Sequence, residues 1–252
     1  MSQIATNQSS DGGTVESQWK DLFSIAGVST LIMVALIPLQ IIVYIIWQTP
    51  ETAIESFILF QENKLYGLLA LELPYLVSNV LSVPLYLALF VALRKGNQSV
   101  MTVATVLELI AIAAIFAARP TFDMLHLSNQ YAAASTDAQR ALFLAAGEAK
   151  LALMYGTAQQ VHYVIGSAAL LIISIVMLRS EIFSKTTAWM GVTANILVFG
   201  LYLPTIGVFL SIISVLPFLT IWLIMIGWRF LQLGRSGRKG TARNIDTVPE
   251  AY

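Results

Sequence analysis

The chain has no cysteine. That single absence excludes disulfides, iron–sulfur clusters, thiolate metal sites and cysteine nucleophiles together. Charge is the second scarcity. Only 11% of the 252 residues are charged, against about 25% in an ordinary soluble domain, so the chain lacks the polar surface to stay in water. Basic and acidic side chains balance to a net charge of zero, which argues against nucleic acid or another polyanion as partner. Sequence signatures of catalysis are missing too. There is no Gly-x-Ser-x-Gly elbow, no P-loop and no dinucleotide glycine pattern, so no catalytic residue and no cofactor is assigned.

What is present is apolar sequence in long runs. Hydrophobic residues make up 57% of the chain and mean hydropathy is +0.76. About 20 apolar residues are needed for a helix to cross a hydrocarbon core of roughly 30 Å. Leu22–Trp47, Tyr66–Leu93, Val100–Ala118, Val161–Leu178, Thr187–Leu203 and Val208–Leu231 meet or approach that length. None alternates with the two-residue period of a barrel strand. The first run is too long for the roughly 7–15-residue core of a cleavable signal peptide and is expected to be a retained span. Pro74, Pro84 and Pro217 fall inside runs and predict kinks. The expected fold is all-α: a polytopic membrane bundle of six transmembrane helices whose main partner is the lipid bilayer. Residues 21–233 form the transmembrane domain, and 1–20 and 234–252 are mobile polar tails.

Orientation follows from the basic residues flanking the spans. Threading six spans puts ten on the side of both termini, among them Lys20, Arg94, Lys95, Arg179, Lys185 and Arg229. Lys64, Arg119, Arg140 and Lys150 fall on the other side. Both termini are therefore expected in the cytoplasm. Trp19, Trp47, Trp189 and Trp228, near span ends, read as interface anchors.

Two segments on the opposite side have helical character. In Pro50–Asn63, Ile54, Phe57 and Ile58 share a helical face, the pattern of a short interfacial helix. Between spans three and four, Thr136 and Gln139 have the spacing of a capping box, and the Ala-rich run after them favours helix. Helices over Phe122–Ala133 and about Asp137–Tyr155 are expected to form an outer cap (residues 121–156), the second bending at Gly156 into the fourth span.

The stretches LELPYLVSNVLSVPLYLALFVALRK (71–95), LSNQYAAASTDAQRALFLAAGEA (127–149) and GSAALLIISIVMLRSEIFSKTTAWMGVTANILVFGLYLPTIG (166–207) resemble the bacterial membrane proteins grouped as domain of unknown function 4386. The string STDAQRALFLAAGEA carries most of the likeness, which extends over most of residues 20–233. It implies a six-span bacterial membrane protein and brings no catalytic residue with it.

Polar residues inside the runs are the candidates for function. Glu72, Tyr75, Asn79, Ser82 and Tyr86, spaced 3, 4, 3, 4, hold one helical face. Thr102, Thr105 and Glu108 repeat the pattern in the third run, while Gln159, Gln160 and His162 open the fourth and Thr193 and Asn195 lie in the fifth. A charged group at mid-membrane costs roughly 2.5–3.5 kcal/mol or more. With no Lys or Arg within the core of any run, Glu72 and Glu108 cannot both stay ionised cheaply, and their depths allow a shared site. Glu72, Tyr75, Asn79, Glu108, His162 and Asn195 are the candidate ligand-binding residues.

Three readings follow. One is a binding or transport protein for a small molecule or cation. Another is a membrane enzyme acting on a lipid or isoprenoid at the outer face through His162 and Glu148. The third is a non-catalytic partner or stress-response component whose polar groups only pack helices. A metal at His126 or His162 with Asp123 or Glu148 lacks the three-ligand spacing of zinc sites, so no metal is assigned. Spans one to three share no similarity with four to six, so an inverted-repeat transporter signature is absent. The ladders Ala113/Ala117, Ala114/Ala118 and Gly191/Asn195 read as packing faces. Oligomeric state has no signature in the sequence.

Overall fold

The computed structural model describes residues 18–46 and 49–245; the expected tail segments 1–17 and 246–252 and the anchor Trp47 lie outside them. Among the described residues every regular element is helical. These are α1 (Lys20–Ile46), α2 (Ala53–Glu62), α3 (Lys64–Ala70), α4 (Leu73–Leu93), α5 (Gln98–Ala118), α6 (Thr121–Ala133), α7 (Asp137–Leu153), α8 (Thr157–Met177), α9 (Lys185–Phe199), α10 (Gly207–Ile213) and α11 (Thr220–Ile245). A 3₁₀ turn, Gly200–Tyr202, follows α9. A wider π-type turn over Ser214–Leu219 joins α10 to α11. Pro217 sits in that turn and cannot donate to the ladder. The Thr220 hydroxyl donates to the Val215 carbonyl at 2.8 Å, satisfying one acceptor of the widened turn.

Five helical stretches are long and apolar enough to cross a membrane: Lys20–Ile46, Leu73–Leu93, Gln98–Ala133, Asp137–Met177 and Gly207–Arg235. In the first and last, protein covers only 17% and 22% of the most apolar window. Outward-facing Ile45, Val80, Val103 and Ile196 are each more than half exposed. Aliphatic surface on this scale needs lipid to cover it, which makes this a membrane protein.

The long helices pack in a ring. Consecutive neighbours around it are α1, α4, α5, α8 and α9, and then α11, which closes the ring by packing against both α9 and α1. All six helices contribute to one core, which includes Phe23, Leu89, Met101, Ile173, Ala188 and Trp222. A second, smaller core of Ala53, Phe57, Phe60, Leu71, Met124 and Leu151 joins α2, α6 and α7 to the α3–α4 break.

Both helices expected between spans three and four are present. Gly156 caps α8 at the expected bend. The Thr136 hydroxyl accepts from Gln139 N–H at 3.2 Å, but the Gln139 side chain accepts from Ser135 N–H at 3.1 Å rather than from Thr136. The expected capping box is thus displaced by one residue on its return arm. A reciprocal box forms at Thr52–Glu55 instead and starts α2. That helix buries Ala53, Ser56, Phe57 and Phe60 and leaves Ile58 half exposed. This corrects the expected Ile54–Phe57–Ile58 face, because α2 packs on α6 and α7 rather than lying alone at an interface. On α5 the packed small residues are Ala104, Ala111 and Ala118, while Ala113 and Ala117 face outward.

The largest departure concerns the second span. The run Tyr66–Leu93 is not one helix: α3 ends at Ala70 and α4 begins at Leu73. Pro74 stands at the start of α4, where its missing N–H has no partner to lose. It opens the helix rather than kinking it.

Candidate functional site

Glu72 occupies the break, with φ 67° and ψ 29°. This left-handed conformation costs a non-glycine residue roughly 1–2 kcal/mol, so something must hold it. The link Arg119–Thr121 does. The buried Thr121 hydroxyl donates to the Leu71 carbonyl, which the end of α3 leaves free. Arg119 Nε lies 2.6 Å from Glu72 Oε2, with both side chains almost fully buried. The Nε–H is not aimed along that line, so the contact is one of charge and proximity. The Tyr44 hydroxyl stands near the Glu72 carboxylate as well. Glu72 therefore has a basic partner, which corrects the expectation of an unpaired carboxylate deep in a continuous helix.

The pair extends inward. The Arg119 guanidinium lies 5.3 Å from the centre of the Tyr75 ring, within cation–π range. The Tyr75 hydroxyl and His162 Nε2 are 2.7 Å apart, and His162 Nδ1 is 3.0 Å from the Ala111 carbonyl. With a carbonyl at Nδ1, that nitrogen carries the proton and Nε2 accepts from Tyr75. A file of Glu72, Arg119, Tyr75 and His162 thus links α4, α5 and α8 from the break inward.

One turn further along α5 stands Glu108, buried to 3% exposure. Its neighbourhood differs in kind. The Tyr86 hydroxyl, itself beside Ser82, is within hydrogen-bonding reach of the carboxyl, yet Oε1 has no hydrogen-bond partner among the described residues. Gly166 of α8 makes room for this group: a Cβ there would lie 3.7 Å from Oε2 and 3.3 Å from the Ala111 methyl. One turn away Thr105 Oγ1 is also buried and unpartnered. Thr102, the third member of the expected stripe, is exposed and bonds its own helix at Gln98.

Three of the expected site residues form a connected group, with Tyr75 between the Glu72–Arg119 pair and His162. Asn79 folds back on its helix, donating to the Tyr75 carbonyl at 2.9 Å, and its own carbonyl accepts from Ser82 at 2.7 Å. Asn195 does the same on α9, donating to the Gly191 carbonyl at 2.8 Å, and belongs to neither glutamate. Glu72 and Glu108 each have their own partners rather than a common site. The His162–Glu148 combination is not assembled either: Glu148 accepts from the Ala53 N–H at 2.8 Å, at the start of α2. Among the described residues no three His, Asp or Glu side chains converge as a metal set. Arg119 is the residue that sequence reasoning missed.

The chain matches no family model, no curated protein and no solved structure. Its geometry is therefore the basis for a functional reading.

Proposed function

We propose that this is a six-span membrane protein that binds or carries a proton or a small cation at Glu108. The unpartnered carboxyl oxygen of a fully buried glutamate carries the reading. An ionised carboxylate in that position needs a counter-charge or abundant hydrogen bonding. Tyr86 supplies one polar contact, so the group is suited to taking up a positive charge from outside the protein. The neighbouring Glu72 has Arg119 and needs none.

The six-span topology belongs to the same reading. In its support, α9 occupies one of the six ring positions. Its 15 residues with the following 3₁₀ turn extend about 28 Å at 1.5 and 2.0 Å per residue, close to the hydrocarbon thickness. The flanking basic residues favour both termini on the cytoplasmic side. In this arrangement α2, α6 and α7 are an outer cap, the setting is a bacterial cytoplasmic membrane, and the resemblance to domain of unknown function 4386 fits.

Infrared difference spectroscopy on the full chain in liposomes tests the reading. Wild type should show a carboxyl band that responds to a pH step or to sodium, potassium or guanidinium, and Glu108→Gln should lose it while Glu72→Gln keeps it. A Glu108 band unmoved by pH and by all three cations would leave a helix-packing role only.

A further inference from the structure

At the opposite end of the ring, a cavity of about 560 Å³ opens where the α4–α5 link meets the α8–α9 link. Its size is in the range of small-molecule sites, roughly 300–1,000 Å³. Its floor is aliphatic, built from Leu93 of α4 and Ile172 and Val176 of α8. Its mouth is polar and carries Lys95, Asn97, Arg179 and one acid, Glu181. Ile172 and Arg179 are seven residues apart, so floor and mouth are separated by about 10 Å along the helix. Ile175, also in the lining, is 46% exposed on the lipid-facing side of α8. The recess is therefore continuous with the surface that lipid covers.

The basic groups nearby divide into two sets. Lys185 donates to the Leu178 carbonyl, and Arg229 donates to the Ile182 carbonyl at 2.7 Å and to Gln232 at 3.3 Å. Those two close the loop onto the bundle. Lys95 and Arg179 are exposed and stand in no ion pair among the described residues. With Glu181 counted, the mouth carries one net positive charge above an aliphatic floor.

We infer that this cavity seats one anionic phospholipid, its phosphate held between Lys95 and Arg179 and the first part of an acyl chain on Leu93, Ile172 and Val176. A free phosphate would use the mouth alone and leave the aliphatic floor without purpose. A zwitterionic lipid would bring a cation to a site with a positive excess. The site is independent of whatever Glu108 carries, although it uses the same bilayer.

The test is native mass spectrometry of the full chain released from mixed phosphatidylglycerol–phosphatidylcholine bilayers. Wild type should retain phosphatidylglycerol in preference to phosphatidylcholine. A Lys95→Gln/Arg179→Gln double variant should lose that retention by roughly fivefold per charge removed, the usual weight of one basic side chain at an anionic surface. Arg140→Gln, which removes an exposed charge paired with Asp137 elsewhere, should retain the lipid as wild type does. Val176→Trp keeps both charges and fills the floor, so it should also shed the lipid; if it misfolds, Ile172→Phe takes its place. Three results would overturn the assignment. They are unchanged retention in the double variant, equal retention of phosphatidylcholine, and displacement of the lipid by inorganic phosphate, which would mark a free-anion site.

Discussion

Glu72 and Glu108 are the same residue type, both buried, on neighbouring helices, and the protein treats them in opposite ways. Glu72 sits at a helix break, with Arg119 at 2.6 Å and the Tyr44 hydroxyl nearby. Glu108 sits in mid-helix beside a glycine, with one tyrosine and an unused oxygen. The difference teaches what burial of a carboxyl group means. Where a cation and a hydroxyl close around it, the acid is a structural clasp that offsets a strained backbone. Where one oxygen is left without a partner, the acid has room for the proton or cation proposed above.

The comparison can be broken most forcefully at Arg119. Arg119→Leu leaves Glu72 buried without its counter-charge, and removing one partner of a buried pair costs about 3–5 kcal/mol. Thermal unfolding in detergent should show that loss, and Glu72→Leu/Arg119→Leu should recover part of it. A loss below about 1 kcal/mol would mean the pair behaves as an exposed one. Tyr75→Phe is the next step down. It removes the 2.7 Å contact to His162 and should cost about 0.6–1.7 kcal/mol, the range of interhelical hydrogen bonds in membranes. No change at all would detach His162 from the file.

Smaller still is the effect expected on stability at the other glutamate. Glu108→Gln keeps shape and hydrogen-bonding capacity, so unfolding should shift by less than about 1 kcal/mol while the response to protons or cations disappears. Equal behaviour of Glu72→Gln and Glu108→Gln in both measurements would erase the distinction. Gly166→Ala sharpens it most gently. Its methyl would stand 3.3 Å from Ala111 and under 4 Å from both Glu108 oxygens. It should weaken the cation response more than it weakens the fold, read as a change in half-saturating cation concentration against an unchanged melting temperature.

Much of this arrangement was readable in the residues. The 3, 4, 3, 4 spacing from Glu72 to Tyr86 does turn polar groups inward, with Asn79, Ser82 and Tyr86 all buried. The Ala-rich run after Thr136 is a helix. Arg119 was hidden by its position: it ends an apolar run, 47 residues from Glu72, and there a basic residue reads as an interface marker. Only the fold brings the start of α4 beside the end of α5. The break itself had a local sign, since proline is favoured in the first turn of a helix and Pro74 is the second residue of α4. A hydropathy window averages over that sign, because leucine and proline interrupt no apolar run. The Ile54–Phe57–Ile58 face failed for a related reason. Periodicity identifies an apolar stripe but not which neighbour will cover it, and α6 and α7 cover the adjacent face.

The ring closes between its first and last members, and glycine makes the closure tight. A Cβ at Gly27 would strike Leu231, one at Gly227 would press on Thr30 and Leu31, and one at Gly234 would strike Ser24. Synthesis runs from the N-terminus, so the ribosome delivers α1 before α11. The small-residue face of α1 must therefore wait, uncovered on that side, while nearly two hundred residues are added. Until then the ring lacks the helix that joins α9 back to α1.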